Sequence, residues 1–217
     1  MKNIKQKIIS VFEKLSRGNL ALKSLCFAIV FSLIFQFAVL GQNCENIREN
    51  IFRLHILANS NSDADQALKL KVRDRLLEVS EDLFDGAESY EDAVEISTQN
   101  IDFLTSVAKE EITANGYDYD VKISVGEADF NTRHYENYTL PAGKYTALRV
   151  VIGKGEGKNW WCVMFPFLCI PSAEEKATSS LSNTLDKEGV DLVCNGEKYK
   201  IKFKTVEIYE WIKSKIS

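Results

Sequence analysis

The stretch "SLCFAIVFSLIFQFAVLG", Ser24 to Gly41, carries no charged side chain, and only Gln36 is strongly polar. Its eighteen residues rise about 1.5 Å each as a helix and span roughly 27 Å, close to the ~30 Å hydrocarbon core of a bilayer. Every earlier basic residue (Lys2, Lys5, Lys7, Lys14, Arg17, Lys23) lies on its N-terminal side. The positive-inside rule keeps that flank cytoplasmic and exports the chain from residue 42 onward. A cleaved signal peptide ending at Gly41 and an uncleaved anchor both fit. A core helix fits poorly, since no face is polar.

Downstream the period changes. "IFRLHILANS" alternates, with Phe52, Leu54, Ile56 and Ala58 opposite Arg53 and His55, which predicts a half-buried strand. Ser62 and Asp65 form a capping-box pattern opening a helix with Leu68, Val72, Leu76 and Val79 on one stripe. Asp65 and Lys69 stand at i,i+4 on its flank. Ser89 and Asp92 cap a second helix that Asn115-Gly116 ends. "YDYDVKISV", "KYTALRVVIG" and "WWCVMF" read as strands, residues 173–187 as a helix, "DLVCNGEKYKIKF" as a hairpin turning at Asn195-Gly196, and "VEIYEWIKSKI" as a short amphipathic helix. The order β-α-α-β-β-β-α-β-β-α predicts an α+β fold. A single domain, residues 50–217, would hold a mostly antiparallel sheet packed by helices on one face. An export or anchor helix (1–41) and a short tether (42–49) precede it.

Charge separates the two parts. Residues 1–41 hold six basic groups and one acidic, a net +5, whereas 42–217 hold 21 basic and 30 acidic, a net −9. An acidic body argues against nucleic acid, which needs clustered Lys and Arg. Export makes the compartment disulfide-permissive. Four exported cysteines, Cys44, Cys162, Cys169 and Cys194, allow three pairings, and the favoured bridge involves Cys162 or Cys169. Pro166 bends the segment between these two.

The candidate chemistry is thin. "GKGEGK" (153–158) alternates its glycines strictly and precedes a strand, so it fits neither a Walker loop nor G-x-G-x-x-G. A tight hairpin connection between two strands is the better account. Ser106 and Lys109 match S-x-x-K with no KTG or SDN partner, as a helix surface does. His55 and His134 are isolated, and no metal-ligand spacing occurs. No metal, cofactor or small-molecule substrate is expected. The adjacent acids Glu110-Glu111 and Glu174-Glu175 point apart on a helix. An exported hydrolase pairing Cys162 with His134, or Cys169 with His55, is the alternative to a binding protein. The remaining oddity is "NWWCVMF" (159–165): on a strand, Trp160 and Trp161 face opposite sides, so one fills the core and the other lies at a contact surface or under a cover.

"RLHILANSNSDADQALKLKVRD" (53–74) and "LPAGKYTALRVVIGKGEGKNWWCVMFPFLC" (140–169) resemble the two signature blocks of the stage II sporulation protein R family. The resemblance spans roughly 50 to 171. Departures are Phe130-Asn131 where Phe-Pro is expected, Glu136 after Tyr135 where glycine is expected, and Phe167 in place of a second proline. What the resemblance implies is a forespore protein exported into the space between two membranes. There it triggers a membrane-embedded mother-cell aspartic protease that matures pro-sigma-E, and it is not itself an enzyme. Contact with that partner is expected at Trp160, Trp161, Asn159 and Tyr135, and at Asp65, Gln66, Lys69 and Arg73, whose plainer reading is a solvated helix flank.

Overall fold

The computed structural model of the chain describes residues 20–135, 137–166, 168 and 177–216. Two compact units emerge, residues 1–42 and 43–217. The first is the apolar part of helix α1 (Leu20–Glu49). An 18-residue window within Leu22–Glu49 has a mean hydropathy of 2.3, enough to cross a membrane by length and composition. Phe27, Phe31, Ile34 and Phe35 are all more than half exposed along it.

In the second unit, the residues expected as a tether are helical. From Asn43 the last turns of α1 bury Cys44 and Ile47 completely. These two lie three residues apart on one helix face, so the segment is held by packing.

The sheet is four-stranded, in the order β2-β5-β1-β6. Strand β1 (Phe52–Leu57) pairs parallel with β5 (Gly143–Ile152) and antiparallel with β6 (Asn159–Phe165); β2 (Val121–Phe130) pairs antiparallel with β5. A separate two-stranded ribbon joins β3 (Arg133–His134) to β4 (Thr139–Leu140). The sheet is therefore mostly antiparallel, as the element order predicts.

Strand β1 departs from its expected half-burial. It is central, and Phe52 through Ile56 are all buried. The alternation is real, but both faces are covered. Leu54 and Ile56 pack with Leu148, Val150, Ile152, Cys162 and Met164 beneath the helices α2 (Asp63–Leu83), α3 (Tyr90–Gln99) and α4 (Ile101–Ala114). On the reverse face, Arg53 and His55 share registers with Ala147, Val163 and Trp161.

Ser62 caps α2 by accepting the Asp65 backbone N–H, and Ser89 and Asp92 complete a reciprocal box at α3. The second expected helix is broken in two. At Asn100 the side chain donates to the Ile96 carbonyl at 2.8 Å, competing with the helical backbone as asparagine readily does. Gly116, at φ +81°, ends α4 in the left-handed conformation.

The C-terminal hairpin is not formed. Helix α5 (Ala177–Thr184) leads to α6 (Lys187–Cys194), a 3₁₀ turn (Gly196–Tyr199) and α7 (Lys200–Ile216). A two-residue hairpin turn at Asn195-Gly196 would need positive φ at both positions, whereas Asn195 sits at −104° and closes α6. Leu192 and Val193 are buried instead. This segment packs near the reverse face: Gly189 lies against Ile47, and Gly196 against Thr139.

Candidate interaction surface at the edge strand

Residues 153–158 do not form the expected hairpin. Strands β5 and β6 flank β1 on opposite sides, so their connection must arch over its C-terminal end. There it meets the loop Asn59–Ser62. Gly157 N–H donates to the Ala58 carbonyl at 2.9 Å and Glu156 N–H to that of Asn59 at 3.3 Å. The Lys154 N–H reaches Asn59 Oδ1 at 3.1 Å, and the Lys158 N–H reaches Asn61 Oδ1 at 2.8 Å. The glycines are required by this approach. A Cβ on Gly157 would collide with the Ser60 carbonyl oxygen, and one on Gly153, at φ +56°, with the Asn59 side chain.

Helix α2 closes the arrangement from below. Asn59 Nδ2 donates to Asp65 Oδ2 at 2.9 Å, and Gln66 Nε2 to the Ser60 carbonyl at 2.8 Å. Lys69 does not turn to Asp65, as the i,i+4 spacing suggests. Its ammonium donates to Gln66 Oε1 at 2.7 Å and to the Lys158 carbonyl at 3.0 Å. Asp65 and Lys69 are only 5% and 4% exposed. They are neither a solvated flank nor a contact surface; they are struts that fix the glycine arch from within. Hydrogen bonds, the one from Ser60 first, hold the Asp65 carboxyl below the usual carboxylate range. Burial, aided by Arg73 and Lys158, pushes the Lys69 ammonium down.

The arch delivers the chain into β6, which closes one edge of the sheet among the described residues. As predicted, its two tryptophans face opposite sides. Trp160 lies on the helix side, with the Arg73 guanidinium of α2 stacked 4.4 Å from its ring centroid. Trp161 lies on the reverse side, flat on His55 with centroids 3.8 Å apart and edge-on to Phe130 at 4.7 Å. Each is half-buried and Asn159 is exposed. Neither ring is wholly core, and the strand presents indole surface along both margins of an edge that pairs with no further strand among the described residues.

Arg53 organises the reverse side, a role that no motif in the sequence announces. It is fully buried. Its Nε donates to the Cys162 carbonyl at 2.7 Å and its Nη2 to the Tyr135 hydroxyl at 2.8 Å. Tyr135 in turn donates to the Trp161 carbonyl at 3.1 Å. The guanidinium sits 4.2 Å from the Phe130 centroid and 5.1 Å from that of Tyr145. Aromatic faces replace a carboxylate as its counter-charge. An arginine inside an alternating strand pattern was the available signal, but the two-sided burial that makes it unusual is a tertiary fact.

Of the residues expected to meet a partner, Trp160, Trp161, Asn159, Tyr135, Gln66 and Arg73 are brought together along this edge. The chemistry set aside from sequence stays apart. Ser106 donates to its own Phe103 carbonyl at 2.7 Å, and Lys109 pairs with Asp118 at 2.9 Å. Cys162 is fully buried among the helix-side core residues, opposite the face that carries His55. A sulfur so placed is out of a substrate's reach in this fold. Cys44 and Cys194 are not disulfide-bonded. Cys169, Glu136 and Phe167 lie outside the described residues. No cluster of metal-ligating side chains occurs among the described residues.

A family model described as stage II sporulation protein R matches residues 48–175. The stage II sporulation protein R of Bacillus subtilis (strain 168) is 33% identical over 158 residues, covering 68% of this chain and 70% of that one. No solved structure matches significantly.

Proposed function

The chain belongs to the stage II sporulation protein R family, and from that premise we propose that its exported domain is a ligand that works by contact. In this reading α1 carries the domain across the forespore membrane into the intermembrane space. There the β6 edge docks on a membrane-embedded mother-cell aspartic protease. Binding shifts that protease toward its active state and so leads to processing of pro-sigma-E. A ligand can move such an equilibrium only by its differential affinity for the two states, so the contact itself is the mechanism.

One observation carries the proposal. The two signature blocks, far apart in sequence, fold against each other through the glycine arch, and what they jointly expose is the Trp160–Trp161 edge. Tryptophan and arginine in a partly desolvated setting are the side chains that dominate binding energy at interfaces. The apolar length of α1 and the acidic body fit export. With Cys44 and Cys194 outside any disulfide, the proposal also joins Cys162 to Cys169, bracing the strand that bears the tryptophans.

The test is co-expression of the full chain with the cognate protease and tagged pro-sigma-E, scored by the shift to mature sigma-E on an immunoblot. Processing is expected with the unaltered chain and is expected to fall with Trp160→Ala and Arg73→Ala at equal protein levels. Undiminished processing by both variants would overturn the assignment of this edge. Absence of processing with the unaltered chain would overturn the protease-activating role.

A further inference from the structure

Helix α7 lies beyond the stretch that the family model matches, and it carries two apolar stripes. One faces inward through Phe203 and Val206, which are 2% and 8% exposed. The other faces out. Ile201, Ile208 and Ile212 are 83%, 52% and 43% exposed, and at spacings of seven and four they align on one face. Tyr209 and Trp211, each 63% exposed, stand on either side of that stripe.

Lysines flank it as well. At 100° per residue, Lys200, Lys204 and Lys215 fall along one margin and Lys202 and Lys213 along the other, and all five are exposed. Lys200 and Lys204 also reach Glu197 and Glu207 one turn away. From Lys200 onward the chain holds five basic and two acidic residues, a net +3, whereas residues 42–199 hold 16 and 28, a net −12. Positive charge in an otherwise acidic domain is concentrated around its barest apolar stripe.

We infer that α7 is an interfacial helix that lays Ile201, Ile208 and Ile212 into an anionic lipid surface, with Trp211 and Tyr209 at headgroup depth and the five lysines reaching the phosphates. A protein groove would satisfy the isoleucines but gives no account of lysines on both margins. A lipid surface accounts for both features, since amphipathic aromatics settle at the interface and lysine stems extend to the headgroups. This inference does not depend on which protein the domain activates. It gives the domain a second hold on a membrane besides α1, and near the bilayer each lysine adds attraction to anionic lipid.

The tryptophans make the test direct. The chain has three, Trp160, Trp161 and Trp211, and none falls in the apolar segment of α1. The full chain is reconstituted into vesicles of phosphatidylglycerol or of phosphatidylcholine, each with brominated acyl chains that quench indole fluorescence on contact. Quenching is expected in phosphatidylglycerol, is expected to vanish with Trp211→Phe, and should weaken with Ile208→Glu at an unchanged thermal unfolding midpoint. Replacing Lys213 by Gln should lower the affinity about fivefold at low salt. Equal quenching of Trp211→Phe, or none in either lipid, would overturn the inference. So would a dimer that forms without lipid and is abolished by Ile208→Glu, which would assign the stripe to a second copy of the chain.

Discussion

The indole of Trp161 lies flat on the imidazole of His55, with planes 13° apart and centroids 3.8 Å apart, while His55 Nε2 sits 2.9 Å from Asn159 Oδ1. Burial lowers the His55 pKa, and Arg149 adds to the effect against the opposing Asn159 hydrogen bond. The folded-state pKa thus lies below the unfolded value of about 6.5. The unfolded chain binds the proton more readily, so stability is full above about pH 6.5 and declines as pH falls below it. The thermal unfolding midpoint of the wild type should begin to fall in that window. His55→Phe, which keeps a ring under Trp161, should flatten that part of the profile.

Trp160 and Arg73 form the other margin of the edge. If the proposed contact is right, removing either should weaken binding to the proposed partner by about 2 kcal/mol or more, roughly thirtyfold. The unfolding midpoint should stay within a few degrees, since both side chains are partly exposed. Ser106→Ala should leave binding and signalling unchanged. Titration of the solubilised partner against labelled full-length chain measures all three.

The glycine arch makes a structural prediction. Gly157→Ala forces a methyl group onto the Ser60 carbonyl and should cost about 1–3 kcal/mol, lowering the melting midpoint by about 2–4 °C per kcal/mol. Signalling should fall with it, because Lys158 and Asn159 enter β6 from the arch. Gly126→Ala, where nothing lies within 4 Å of the added carbon, is the control.

Arg53 should be intolerant of change. Arg53→Ala leaves the Cys162 carbonyl and the Tyr135 hydroxyl without their donor and opens a cavity beside Phe130. A loss of about 3 kcal/mol or more is expected. Arg53→Lys restores charge without the planar fork that serves two acceptors and two rings, so it should recover only part of it. Chemical denaturation of both variants against wild type decides this.

The thiol count tests the proposed bridge. Denatured, non-reduced full-length chain should present three reactive thiols, those of Cys26, Cys44 and Cys194, and reduction should release two more. Five thiols before reduction would remove the Cys162–Cys169 bridge.

Local signals in the sequence settled much of the architecture. The charge-free run before Gln42, the caps at Ser62 and Ser89, the stop at Gly116 and the period-two strands are short-range effects, set by neighbours within a few residues. The opposed faces of Trp160 and Trp161 followed for the same reason, because strand alternation is a local property. Tertiary pairing decided the rest. Only the strand order shows that residues 153–158 must cross the end of β1, which turns an expected hairpin into an arch and makes Asp65 and Lys69 buried struts. Asn195-Gly196 carries strong turn chemistry, yet burial of Leu192 and Val193 draws the segment into helices. Cover on both faces of β1 makes Arg53 a core residue, and an alternating pattern read along one strand cannot report what another part of the chain lays over its polar side.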